Sequence, residues 1–253
     1  MKPGDEAFWA NLPFGAGVKR VALDPNGLVA LDKPEGVLSH PNGPKDRARS
    51  LLRAAYDKDA ECFEWQAPGG GIQRLWLINR LDSATSGLIL AATDGPLARE
   101  VRSQFQRRQV RKAYEALVFG VPRKPKDTWK DVLRVQKARG FIRTAAGGGN
   151  LPAESRMTLL RPGTGPLRVS LVKLEPQTGR SHQLRVQCAK RGLPIVGDRT
   201  YGNFAANREF AKASGLKRMF LHSLSISFDY AYAGATHAFS AEAPLPQEFE
   251  QLG

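Results

Sequence analysis

A chain of 253 residues, 42% of them hydrophobic, is long enough for one large domain or two small ones and for a core that needs no disulfide staples. Its 38 Lys and Arg against 24 Asp and Glu give a formal net charge of +14, which makes a polyanion the expected partner, although charge alone does not separate nucleic acid from an anionic membrane. Two cysteines, Cys62 and Cys188, stand far apart without CxxC spacing, so neither a disulfide framework nor a cysteine zinc site is suggested and a reducing compartment is expected.

At the N-terminus, "MKPGDEAFWANLPFG" lacks the apolar core of a signal peptide, and nowhere does the chain approach the roughly 18 apolar residues that span a bilayer. A cytoplasmic protein without membrane association is expected. In "KRVALDPNGLVALDKPEGVLSHP", two apolar runs flank Asp24-Pro25-Asn26-Gly27, a turn signal that predicts a hairpin. Residues 46–60 place Leu51, Leu52, Ala55 and Tyr56 at helical spacing, which predicts a helix, and "QAPGGGIQ" after it reads as a flexible loop.

"GLILAA" is an apolar run of strand length. It is followed by "DGPLAREVRSQFQRR", where Leu97, Val101 and Phe105 recur every four residues behind Asp94 and Pro96, the marks of a helix start. Arg102, Arg107, Arg108 and Arg111 form a basic cluster along and just beyond that helix, read as a candidate polyanion-binding surface as readily as a solvated face. "KAYEALVFG" predicts a strand ending at Gly120, and residues 121–150, basic and rich in Gly and Pro, read as an inserted, loop-rich segment. "LRVSLVKLEP", "HQLRVQCA" and "LHSLSISFDY" alternate with period two and predict strands; in the second, Leu184, Val186 and Cys188 face one way and Arg185 the face opposite the core. The sum is a mixed α+β protein with mainly neighbouring strands.

Among catalytic signatures, the phosphate loop, the HExxH metal helix, the nucleophile elbow and the dinucleotide fingerprint are all missing, and His40, His182, His222 and His237 are scattered singly. Neither a metal nor a nucleotide cofactor is expected. What stands out is "NRLDSATSGL", a carboxylate, Asp82, beside Arg80 in a strongly basic chain, together with "LEPQTGRSHQLRVQCAKRGLPIVGDRTYG".

With these two stretches the chain resembles an RNA pseudouridine synthase of the RluA type, over residues from about 28 to 245. "LDKPEGVLSHP", "INRLDSATSGLILAA", "RKAYEALVFG" and "TGRSHQLRVQ" with "GLPIVGD" carry the likeness, four motifs in the family's order. The resemblance implies a mixed, largely antiparallel central sheet with flanking helices: an N-terminal extension over 1–27 and a single catalytic domain over 28–248. It also implies that a specific uridine in structured rRNA or tRNA is flipped out and isomerised without a cofactor; for the oligomeric state a monomer is the default expectation. Residue by residue, Asp82 matches the essential carboxylate, nucleophile or base, and Arg80 the residue that fills the stack when the nucleotide flips. Tyr114 matches the aromatic that stacks on uracil, Leu184 the apolar wall, and Arg185 the cation that pairs with the carboxylate.

Elementary chemistry agrees with this cast. A nearby Arg lowers an Asp pKa by roughly 1 to 3, keeping the carboxylate ionised for attack. Extruding a base costs a few kcal/mol, which stacking on an aromatic at about 1–3 kcal/mol largely offsets. Asn79 stands where relatives often carry His. Many relatives also carry a basic N-terminal RNA-binding domain, whereas about 27 residues precede the first motif here, so target choice is expected to reside in the catalytic domain and its insertion. An RNA-binding factor without isomerase activity would have lost Asp82, and a basic hydrolase lacks a nucleophile signature.

Overall fold

A computed structural model describes residues 6–138, 141–147 and 149–252. The chain divides into two compact units, Met1–Val110 with Ser225–Ala243 and Arg111–Leu224 with Pro244–Gly253. The elements of the first run are α1 (Glu6–Ala10), β1 (Lys19–Leu23), β2 (Leu28–Lys33), β3 (Ala55–Asp57), β4 (Cys62–Gln66), β5 (Ile72–Leu77), β6 (Ser86–Ala92) and α2 (Gly95–Gln106). The second run has β7 (Arg111–Phe119), β8 (Lys126–Ala138), β9 (Phe141–Ala146), β10 (Leu151–Arg161), β11 (Val169–Pro176), α3 (Gln183–Lys190) and α4 (Phe204–Ser214). β12 (Leu221–Tyr232), β13 (Ala235–Glu242) and α5 (Gln247–Leu252) complete the chain.

In the first unit, antiparallel pairing gives the order β1-β2-β6-β5-β4-β3, with β12 and β13 forming a further antiparallel pair. The β1–β2 hairpin forms as expected: the Asp24 carboxylate accepts from the N–H groups of Asn26 and Leu28, and Gly27 takes φ 91°. β2 and β6 read as unbroken apolar runs because both of their faces are covered. Val29, Leu31, Ile89 and Ala91 enter one core cluster with Phe8, Trp9, Leu51 and Leu52, while Leu28, Ala30, Leu88 and Leu90 enter another with Leu97, Val101 and Phe228. α2 starts as predicted, its Asp94 side chain accepting from the Leu97 N–H at 3.0 Å.

Two expectations for this unit are corrected. Residues 46–60 are not a helix: a short 3-10 turn covers Pro44–Arg49, and the chain then passes through isolated bridges at Ser50 and Leu52 and bends at 51, 53 and 54 into β3. Leu51 and Leu52 are both fully buried, with the Leu51 backbone clamped between the carbonyl of Leu38 on one side and the Gly15 N–H on the other. Two buried leucines at about 1.5–3 kcal/mol each outweigh helix propensities of a few tenths of a kcal/mol per residue. Residues ahead of the first motif are also no mere extension, since Phe8, Trp9, Leu12 and Val18 are buried and β1 pairs along β2; residues 1–5 lie outside the described residues.

In the second unit the antiparallel order is β7-β11-β10-β8-β9. The segment 121–150, expected to be loop-rich, instead supplies β8 and β9, with positions 139, 140 and 148 outside the described residues. "TWKDVLR" alternates as a half-buried strand: Trp129, Asp131 and Leu133 point inward, Thr128, Lys130, Val132 and Arg134 outward. Its basic composition belongs to the exposed face and hid the period.

A further correction concerns "HQLRVQCA", which is not a strand but the helix α3. Period two failed here because Gln183 through Cys188 are all buried, so no exposed face marks the helical period. Gln, Leu, Arg, Ala and Lys are good helix formers, and that propensity was the available signal. The buried amides are satisfied: Gln183 bridges Thr178, Ser155 and the Glu154 carbonyl, and Gln187 bridges Ser155 and Asp131.

Candidate active site

In the first unit, Asp82 opens a tight turn between β5 and β6, its carbonyl accepting from the Thr85 N–H at 3.0 Å; Asp82 is half-buried and Arg80 exposed. The turn is braced from three directions. Asn79 accepts from the Leu90 N–H at 2.7 Å, tying the chain ahead of the turn to β6. The Ser39 hydroxyl donates to the Leu81 carbonyl at 2.7 Å and accepts from the Leu81 N–H at 3.0 Å. Lys33, fully buried at the end of β2, donates from Nζ to the carbonyls of Pro34 and Val37 at 2.8 Å and of Ser83 at 3.1 Å. A buried ammonium is tolerated only where such acceptors replace its hydration shell.

Lys33 and Ser39 were not singled out in the sequence. The signal for Lys33 was a lone cation closing an otherwise apolar strand just before Pro-Glu-Gly. His40, the residue after Ser39, stacks on Tyr56 with ring centroids 4.6 Å apart and planes at 10°. Burial first, and then the charge of Glu61, push the Tyr56 hydroxyl up to about 12, against the opposing charges of Arg80 and Arg102.

The basic cluster is divided by its bonding. Arg107, Arg108 and Arg111 are exposed. Arg102 instead donates from Nε to the Leu77 carbonyl at 3.1 Å, bonds the Glu61 carbonyl and pairs with the Glu61 carboxylate at 3.3 Å. It fastens α2 to β5 and the start of β4.

In the second unit Tyr114 is half-buried on β7, opposite Leu174 of β11, and Leu184 is buried in the first turn of α3. Arg185 is also buried, and not on the outer face of a strand as expected. Its guanidinium grips Asp198 in a fork, Nε to Oδ2 at 2.7 Å and Nη2 to Oδ1 at 2.8 Å. It also lies over the Tyr201 ring, 5.1 Å from the centroid. Burial would raise the Asp198 carboxyl, but the bonds and charge of Arg185, with the N–H groups of Tyr201 and Thr200, hold it below the usual carboxylate range. The Tyr201 hydroxyl accepts from the Thr144 N–H and bonds His182 Nδ1, both at 2.8 Å. His182, at φ 55°, is the left-handed residue from which α3 departs.

Asp198 and Tyr201 were missed as supports; the Gly-Asp-x-x-Tyr-Gly pattern marks them, since Gly197 at φ 78° leaves no room for a Cβ, which would meet the Arg218 carbonyl oxygen at 1.8 Å. Among the described residues no group of three His, Cys, Asp or Glu could hold a metal ion, and no helix is long and apolar enough to cross a membrane.

A family model described as RNA pseudouridylate synthase matches residues 27–190. The chain is 35% identical over 179 residues to an uncharacterised RNA pseudouridine synthase of Zymomonas mobilis, covering 70% of this chain and 76% of that one. It is 29% identical over 228 residues to a tRNA pseudouridine synthase C of Yersinia pestis, covering 87% and 84%. It is also 29% identical over 244 residues to a ribosomal large subunit pseudouridine synthase C of Pasteurella multocida, covering 92% of this chain and 67% of that one. The solved structure of human RNA pseudouridylate synthase domain containing 1 superposes with a TM-score of 0.68 at 22% identity, over 100% of this chain and 90% of that one, a likeness of fold.

Proposed function

The chain belongs to the RNA pseudouridylate synthase family and isomerises uridine to pseudouridine in RNA, and from that premise we propose that it flips one specific uridine out of a structured rRNA or tRNA and uses Asp82 as the nucleophile or base. The N1–C1′ bond breaks, the uracil turns, a C5–C1′ bond forms, C5 loses its proton and N1 ends protonated. Atoms and electrons balance within the nucleotide, so the reaction calls for positioning and charge rather than a redox partner.

The observation that carries this reading is the bracing of the Asp82 turn. Lys33, Ser39 and Asn79 hold the backbone on both sides of the carboxylate, a preorganisation that a reacting group needs and an ordinary surface turn does not. In this reading Arg80, exposed two residues ahead of Asp82, fills the gap left by the flipped nucleotide. Tyr114 stacks on the uracil, Leu184 forms the apolar wall, and Arg185 is the cation that partners the carboxylate. The catalytic motifs lie within residues 28–248, the residues ahead of them complete the core of the first unit, and the enzyme works as a cytoplasmic monomer. Arg107, Arg108 and Arg111 contribute phosphate contacts, and Arg102 contributes to the fold.

The test is Asp82→Asn and Asp82→Ala, assayed on total RNA from a strain lacking the gene, with pseudouridine mapped site by site. Wild-type protein restores one or a few sites; the variants restore none while binding RNA as tightly, because the basic surface supplies most of the affinity. An Asp82→Ala enzyme that keeps about a tenth of wild-type turnover, where loss of an essential group should remove several orders of magnitude, ends the assignment.

A further inference from the structure

α4 carries a feature that neither the Asp82 turn nor the Arg185 network uses. Phe204, Arg208 and Lys212 are spaced by four and therefore share one face of the helix. All three are exposed, and Phe204, at 56% exposure, is among the few large hydrophobic side chains left in solvent. The opposite side is anchored by buried Phe210, so the stripe is the outward face. Arg199 just before the helix and Lys217 just after it are exposed as well, and Glu209 is the one acid in the helix.

The helix is also held rigidly. The Asn203 side chain caps its N-terminus at 3.1 Å from the Ala206 N–H, and Gly215 closes its C-terminus at φ 74°. The Asn207 amide accepts from the Gly197 N–H at 2.7 Å and donates to the Asp198 carbonyl at 3.0 Å, fastening the helix to the loop whose carboxylate grips Arg185.

We propose that the Phe204–Arg208–Lys212 stripe of α4, flanked by Arg199 and Lys217, is an RNA-docking surface that binds the substrate at a distance from the reacting uridine. The inference rests on the RNA-modifying activity. Four exposed cations against a single acid suit a phosphate backbone, and an exposed ring among them offers a face on which an unpaired base can stack. An RNA docked there rests on the same helix that braces the Asp198 loop, which links substrate engagement to the support of Arg185.

The experiment compares Arg208→Gln/Lys212→Gln with Lys130→Gln/Lys173→Gln, whose lysines form surface ion pairs with Glu154 and Glu175. Both doubles remove the same charge. Binding of a labelled hairpin RNA with a uridine loop is measured against salt, and a Phe204→Ser variant is measured alongside. The α4 double should weaken binding at least about fivefold at low salt and reduce the salt slope by about 1.4, two contacts at roughly 0.7 each, while the control double stays within about twofold. Phe204→Ser should weaken binding about fivefold or more with its slope unchanged. Equal losses in the two doubles, or a neutral Phe204→Ser, overturn the proposal. So does a loss confined to vesicles of phosphatidylcholine and phosphatidylserine, which would make the stripe a membrane contact. The same comparison in the Asp82→Asn background separates the two readings: failure of wild-type protein to form pseudouridine ends the functional reading, while the hairpin measurement still decides the surface.

Discussion

Asp198→Asn removes one charge from a buried pair and nothing else. The Arg185 side chain is 8% exposed and the Asp198 side chain 1%, so loss of the carboxylate charge withdraws the two charge-assisted bonds of the fork from a guanidinium in a place water does not reach. The amide can still accept from the N–H groups of Thr200 and Tyr201 through one oxygen, but its NH2 then faces the donors of Arg185. Breaking a buried pair from one side costs about 3–5 kcal/mol. For a chain of this size that lowers the unfolding midpoint by about 6–20 °C. The pH dependence follows from the depressed carboxyl. The stabilisation is fully present above the ordinary value of 3.8 and is lost as pH falls through the lower folded-state value. Chemical denaturation of wild type and Asp198→Asn should therefore differ fully at about pH 7 and pH 5, and the difference should begin to shrink only once pH falls below 3.8, continuing to shrink as acid is added. A difference under about 1 kcal/mol at pH 7, or one that persists unchanged into acid, refutes the account of the pair.

Lys33→Met leaves the carbonyls of Pro34, Val37 and Ser83 without a shared donor, which should lower stability by about 2–4 kcal/mol, read by denaturant midpoint. It should also lower turnover well beyond the fraction unfolded, and wild-type turnover in folded Lys33→Met would show that the Asp82 turn does not depend on this brace. Arg80→Ala should depress turnover on a structured stem-loop far more than on a short flexible oligonucleotide containing uridine, since little stacking must be broken in the latter; equal losses would remove the flipping role. Arg107→Gln and Arg108→Gln should each reduce the salt slope of RNA binding by about 0.7, whereas Arg102→Gln should leave the slope in place and lower thermal stability, because its guanidinium is bonded to Leu77 and Glu61.

The linear chain determined the parts of this protein whose physics is local. Asp24-Pro25-Asn26-Gly27 can close a hairpin and does, Asp94 with Pro96 can start a helix and does, and a run such as "GLILAA" makes a strand that needs both faces covered. The motif order was legible too, and with it the family, because the identity of a few residues at fixed spacing survives without knowledge of the fold. Tertiary structure decided what those residues touch. Leu51 and Leu52 abandon helical spacing because residues 13–15 and Leu38 offer backbone partners that lie far off in sequence. "HQLRVQCA" becomes a helix because sheet residues such as Asp131 and Ser155 satisfy its glutamines, so a buried polar face imitates a strand's alternation. The bond between Arg185 and Asp198 spans a loop whose course depends on Gly197 and Asn207, and the Lys33 ammonium finds its third acceptor, the Ser83 carbonyl, only once β2 and the Asp82 turn have met. Periodicity records which side of an element is dry; it carries no record of which distant polar group will be waiting there.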